Sequence, residues 1–274
     1  MSVLAPALIA LVGFLVGIVL NILADDLPER RPVSRPRYPD GTPRPFTAWS
    51  GIAAFVTGQR ASPGGARLLW RHPLTELATP ALMLTAYFSG ISDDNMTVLQ
   101  MGFWLVYMAI FTLVTVIDLE HRLILFVVII PSCALALLDA FTTAYGATPG
   151  EALLGAALGF AVFFILYMGG FAFTHVMARL NDRAINEVAF GYGDVMLITL
   201  SGLILGWRPL ILAMFITVFL GAAGAIVYLI ARRILARGQY QLFTPLPYGQ
   251  YIIIATFIML LFATETTGLL IGAR

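Results

Sequence analysis

Lysine is missing from this chain of 274 residues, in which all 16 basic side chains are arginine. That excludes Schiff-base chemistry and a phosphate-binding P-loop, each of which needs a lysine amine. Cysteine is nearly missing as well. The single Cys133 lies in an apolar run, which excludes an intrachain disulfide and a multi-cysteine zinc site and leaves a small buried apolar residue as its reading. Charge of either sign is scarce, at 11% of residues with a net of +1, so no basic surface for nucleic acid is available. Against these shortages stands a hydrophobic content of 59%, arranged in long runs. Such runs exclude a water-soluble globule and a disordered chain, and they lack the alternating segments of roughly ten residues that build a β-barrel. The fold class predicted is an all-α, polytopic helical membrane protein.

A spanning helix needs about 20 apolar residues, because a rise of about 1.5 Å per residue must cover about 30 Å of hydrocarbon. Eight segments qualify: roughly Val3 to Ala24, Leu74 to Ile91, Met96 to Ile117, Leu123 to Phe141, Ala152 to Met177, Phe190 to Gly206, Pro209 to Ala231 and Tyr251 to Gly272. No arginine precedes Val3, so the first segment is read as a helix that stays and not as a cleaved signal peptide. Cytoplasmic loops retain positive charge. An outside N-terminus places 14 of the 16 arginines on the cytoplasmic side, and the turn Ser92-Asp93-Asp94-Asn95 outside. The whole of 1–274 is read as one membrane-embedded domain with a cytoplasmic loop at about 25–72. That loop alternates proline with arginine, as in Arg31-Pro32-Val33-Ser34-Arg35-Pro36-Arg37, which favours extended backbone. Its apolar part, Ala48 to Val56, either lies on the headgroups through Trp49 and Phe55 or packs against helix ends.

An aspartate inside a spanning helix costs about 2.5 to 3.5 kcal/mol on insertion scales, so each acid needs a reason to be there. Asp25, Asp26, Glu29 and Asp40 lie in the first loop, Asp93 and Asp94 in an external turn, and Asp182 and Glu187 in a polar cytoplasmic stretch. Asp139 and Glu265 fall near external helix ends, within reach of water, and Glu76 falls in a first helical turn, where a carboxylate is favoured. Two acids have no such home. Asp118 ends the run Thr112 to Ile117, and Asp194 closes Gly191-Tyr192-Gly193-Asp194, both at the cytoplasmic ends of their helices in this topology. Two carboxylates sharing a site retain one proton, so one member can activate water while the other protonates the leaving amine. That chemistry is aspartyl hydrolysis of a peptide. Gly191 and Gly193 lack a Cβ and admit an extended substrate backbone. The histidines His72, His121 and His175 are scattered; no HExxH and no GxSxG is present, and Asp118-Leu119-Glu120-His121-Arg122 reads as a solvated turn and not a metal site.

These residues resemble those of the type IV prepilin peptidase family, polytopic aspartyl proteases with a GxGD motif. The likeness is carried in order by Gly17-Ile18-Val19-Leu20-Asn21 with Leu27-Pro28, by Arg71-His72-Pro73-Leu74-Thr75-Glu76-Leu77-Ala78-Thr79, by Ile117-Asp118-Leu119-Glu120-His121-Arg122-Leu123-Ile124, by Gly191-Tyr192-Gly193-Asp194-Val195, and by Pro245-Leu246-Pro247-Tyr248-Gly249-Gln250-Tyr251. The resemblance implies cleavage of the basic leader of prepilins or pseudopilins, after a glycine, at the cytoplasmic face of the inner membrane. It implies Asp118 and Asp194 as the catalytic pair and Gly191, Gly193, Asn21 and Glu76 on the substrate-binding side, the last two as supports. It implies no cofactor and no metal for the cleavage, and prepilin and membrane lipid as partners. Charge alone adds Asp25, Asp26 and Glu29 as groups to meet the leader's basic residues.

The chain departs from the family in three places. The first loop has none of the paired cysteines that many bacterial members carry, so a zinc-stapled element is absent and N-methylation of the new terminus with S-adenosylmethionine is not expected. Leu125-Phe126 stands where the family usually has Pro-Asp or Pro-Asn, and Met196 where a lysine commonly follows GxGDV. Two other readings stay open on the sequence. One is a catalytically silent relative that binds helices within a membrane complex; the other is a transporter in which Asp118 and Asp194 relay protons.

Overall fold

The computed structural model describes residues 4–181, 191–235 and 248–262. Among these residues the regular elements are helices, and each of the eight apolar segments falls on one. They are α1 (Leu4–Asp26), α3 (Arg71–Gly90), α4 (Val98–His121), α5 (Phe126–Thr142), α6 (Pro149–Asn181), α7 (Tyr192–Leu205), α8 (Trp207–Leu235) and α9 (Gly249–Leu261). A short helix, α2 (Gly51–Val56), lies in the first loop behind a 3-10 turn at Phe46–Ala48. Four of the set, α1, α4, α6 and α8, are long and apolar enough by length and composition to cross a membrane, while α5, α7 and α9 are shorter apolar helices. The helix boundary expected at Leu123 is displaced. Arg122 takes the left-handed conformation (φ 54°) and closes α4 by donating its N–H to the Asp118 carbonyl, and Leu125 is extended, so α5 starts only at Phe126.

The chain divides into two compact units, 1–123 and 124–274. In the first, α1 packs on α3 and α4. The buried positions of α1 include Gly13, Gly17, Leu20, Asn21 and Ala24, recurring at helical spacing along one stripe. α4 supplies the largest enclosed side chains, Tyr107, Met108, Phe111 and Ile117. In the second unit α7 lies among α5, α6, α8 and α9. Gly155 of α6 and Gly202 of α7 make their crossing possible, since a Cβ on either would stand 2.4 Å from the other's carbonyl oxygen.

The first loop has its own small core. Tyr38, Ala48, Ala54 and Leu68 are buried together with Phe55 against them. Two tight turns are closed by antiparallel bridges, Arg37 with Pro43 and Ala61 with Arg67, and turned by Gly41 (φ 83°) and Gly65 (φ 88°). The Ser62 hydroxyl joins the turns by donating to the Asp40 carboxylate, which holds that carboxyl below its ordinary range. The segment Ala48 to Val56 therefore packs inward on the loop through Ala48 and Ala54.

Candidate active site

The two candidate aspartates each sit at the end of a helix. Asp118 lies in the last turns of α4, buried at 5% exposure, with its carbonyl capped by Arg122. Asp194 occupies the first turn of α7, where its Oδ2 accepts the Gly191 N–H at 3.1 Å and the helix end favours a carboxylate. The two aspartates belong to different units, Asp118 to the first and Asp194 to the second.

Gly191 and Gly193 differ. Gly191 is extended (φ −82°, ψ 151°), a conformation open to any residue, and a Cβ there would meet nothing closer than Asp194 Oδ2 at 3.7 Å. At Gly193 a Cβ would fall 2.7 Å from the branched Cβ of Ile124. Gly193→Ala is therefore expected to destabilise the second unit by about 1–3 kcal/mol, the usual cost of overpacking, while Gly191→Ala leaves stability within about 0.5 kcal/mol. Thermal unfolding of the two variants in detergent reads the difference, and equal midpoints would contradict this assignment.

Asn21 and Glu76, 55 residues apart, are brought together. Asn21 Nδ2 donates to Glu76 Oε1 at 3.3 Å and to the His72 carbonyl at 3.0 Å, while its Oδ1 accepts from Arg71 at 3.3 Å. Glu76 is fully buried. Its carboxylate receives the Gly51 N–H at 2.6 Å, the Ile52 N–H at 3.0 Å and the Ser50 hydroxyl at 2.6 Å, so an acid from α3 closes the start of α2. Both side chains spend their polar atoms on holding the loop and α1 against α3.

The three acids expected to await a basic leader are already occupied. Asp25 meets Arg71, Arg44 (3.6 Å) and His72 (3.5 Å). Asp26 accepts the Ser34 N–H at 2.9 Å and its hydroxyl at 3.1 Å, and Glu29 pairs with Arg31 at 2.5 Å. Asp139, expected to reach water, is instead buried and accepts the Thr143 hydroxyl at 2.7 Å. Asp182, Glu187, Glu265 and the stretch Pro245 to Pro247 lie outside the described residues.

Two residues carry more than the sequence reading assigned. Arg71 is the centre of a charge cluster in the first unit. Tyr248, at the entry to α9, packs its ring on Phe163 and Tyr251. Burial pushes its phenol up and the Asp194 carboxylate adds to the push, so it stays a neutral hydroxyl within the field of that aspartate. Its signal in the sequence was the Pro-Tyr-Gly entry to the last helix. At the departure in α5, the Phe126 ring packs at 5.8 Å on Tyr192 of the GYGD segment, and Tyr192 in turn meets Tyr167 at 5.8 Å. Among the described residues no group of three histidine, cysteine, aspartate or glutamate side chains is placed to hold a metal ion.

A family model described as the type IV leader peptidase family matches residues 105–226, a span that holds both Asp118 and Asp194. Over that span the chain is similar to members of that family. Its similarity extends beyond the matched span. The prepilin leader peptidase/N-methyltransferase of Pseudomonas aeruginosa is 26% identical over 225 residues, 82% of this chain and 69% of that protein. The protein of the same name from Stutzerimonas stutzeri is 26% identical over 227 residues, 82% of this chain and 68% of that protein. That of Aeromonas salmonicida is 28% identical over 224 residues, 81% of this chain and 67% of that protein. No solved structure matches the chain. At the positions that depart from the family pattern, Phe126 makes an aromatic contact to Tyr192 and the loop holds a hydrogen-bonded pair of turns.

Proposed function

We propose that this protein is a membrane aspartyl endopeptidase that removes the basic leader from type IV prepilins or pseudopilins, with Asp118 and Asp194 as its catalytic acids. The observation that carries this reading is the family match across both aspartates, each set in its own motif at a helix end. In the reaction one carboxylate takes a proton from water as its oxygen bonds to the scissile carbonyl carbon. The other, protonated, gives its proton to the amine nitrogen as the C–N bond breaks. Gly191 leaves room beside Asp194 for an extended substrate backbone, and Asn21 and Glu76 support the site by fixing the loop. The test is the mass of the pilin N-terminus after the protein is mixed in detergent with a prepilin from the same organism. A leader shortened after a glycine supports the reading, and an intact leader overturns it. The same spectrum reports methylation of the new amine, which is not expected of a loop without cysteine pairs.

The proposed setting is the inner membrane, with eight spanning helices, the N-terminus outside and the first loop in the cytoplasm. Its support is the placement of 14 arginines on one side of that topology. In a Cys133→Ala background, Arg67→Cys in the first loop is expected to react with an impermeant maleimide only after the cells are opened, and Asp94→Cys to react in whole cells. The reverse pattern would invert the topology.

A further inference from the structure

Arg71 begins α3 and reaches two other helices of the first unit, α1 and α4. Its Nη2 pairs with Asp25 near the end of α1 and lies 3.3 Å from His72 Nε2, its Nη1 donates to Asn21 at 3.3 Å, and its Nε stands 2.7 Å from Glu120 Oε1 at the end of α4. The Nε contact lacks hydrogen-bond alignment, so it acts as an ion pair and not as a directed bond. The side chain is 13% exposed, and Glu120 lies two residues beyond Asp118 in the same helical turn. The loop joins the cluster through Arg44, whose Nη2 is buried 3.6 Å from Asp25. His121 Nε2 lies 3.9 Å from Glu120 Oε2.

We infer that Arg71, through Glu120, is a positioning residue for Asp118, fixing the terminal turn of α4 that carries this aspartate against α1 and α3. The inference rests on the peptidase reading above. Geometry gives it direction. α4 ends on a left-handed arginine and not on a packed glycine turn, and beyond the Asp118 carbonyl cap the ion pair from Glu120 to Arg71 ties its last turn sideways to another helix. Removing one partner of a largely enclosed ion pair leaves the other charge without compensation. Displacing a catalytic group by about 1 Å costs on the order of a hundredfold in rate.

The test compares Arg71→Gln, Arg71→Lys, Glu120→Gln and the double variant Arg71→Gln with Glu120→Gln in prepilin cleavage, each with a thermal unfolding midpoint in detergent. Arg71→Gln and Glu120→Gln are each expected to lower kcat about ten- to hundredfold with KM changed less than about twofold, and the double variant to be no slower than the slower single. Arg71→Lys, which keeps the charge but not the fork, is expected to recover part of kcat. Glu120 lies at the rim of the cluster, so Glu120→Gln keeps the test alive if Arg71→Gln does not fold. A wild type that cleaves, with kcat unchanged in Glu120→Gln or with additive losses in the double variant, overturns the inference. A wild type that leaves every prepilin intact overturns the peptidase reading instead.

Discussion

Cleavage of a prepilin leader is expected to fall by about a thousandfold or more when either Asp118 or Asp194 is replaced by asparagine, because in the proposed mechanism each position supplies one half of a proton relay that amides cannot run. Asparagine is the informative substitution. At Asp194 the side-chain oxygen can still accept the Gly191 N–H that caps α7, so the fold is kept while the titratable group is lost. At Asp118, buried at 5%, the amide has nearly the same volume as the carboxyl and leaves the closing turn of α4 in place. The measurement is the intact mass of the pilin N-terminus over time, with unfolding midpoints of both variants within a few degrees of wild type. Cleavage that survives either substitution removes that residue from the catalytic machinery. Loss at one position with full activity at the other would point to a single-carboxylate mechanism.

The second large effect is on stability. Glu76→Ala is expected to destabilise the first unit by about 3–5 kcal/mol, the range for removing one side of a buried charged network. Four donors lose their acceptor at once: the Gly51 and Ile52 N–H groups, the Ser50 hydroxyl and the Asn21 amide. Glu76→Gln keeps the shape but offers one amide nitrogen to groups that all donate, and is expected to cost about 1–3 kcal/mol. Hydrogen exchange should show protection lost first across 46–57, where the 3-10 turn and α2 depend on this carboxylate. Were activity to vanish with midpoint and protection unchanged, Glu76 would touch substrate directly instead of holding the loop.

The helical architecture was legible because it is written in long apolar runs, and the described part of each run lies mainly on a helix. Boundaries were less so. α4 stops on Arg122, a residue that rarely adopts the left-handed conformation, with no glycine to announce it. α2 escaped notice for a related reason. Its start is closed by Glu76, which comes from another helix 25 residues beyond Gly51, whereas a capping box shows its acid three residues on. Asp118 and Asp194 stood out because an acid in an apolar setting is costly and must be explained. Arg71 did not, since an arginine at a helix start beside a polar loop looks like any solvated charge; its role exists only once α1, α3 and α4 share one guanidinium. For the same reason Asp25, Asp26 and Glu29 looked available as a leader-binding surface, although local partners already neutralise or cap them.

The loop between α1 and α3 has a consequence for the conditions under which this peptidase can work. Its two turns are joined by a hydroxyl and a carboxylate over a core of Tyr38, Ala48, Ala54 and Leu68, and the segment contains no thiol. A thiolate cage responds to zinc supply, to chelators and to oxidants, and an element folded around one comes apart when the ion is withdrawn. A loop joined by an alcohol and an acid has none of those sensitivities. The fold of this loop is therefore expected to withstand chelators and thiol oxidants that would unravel a cysteine-stapled one.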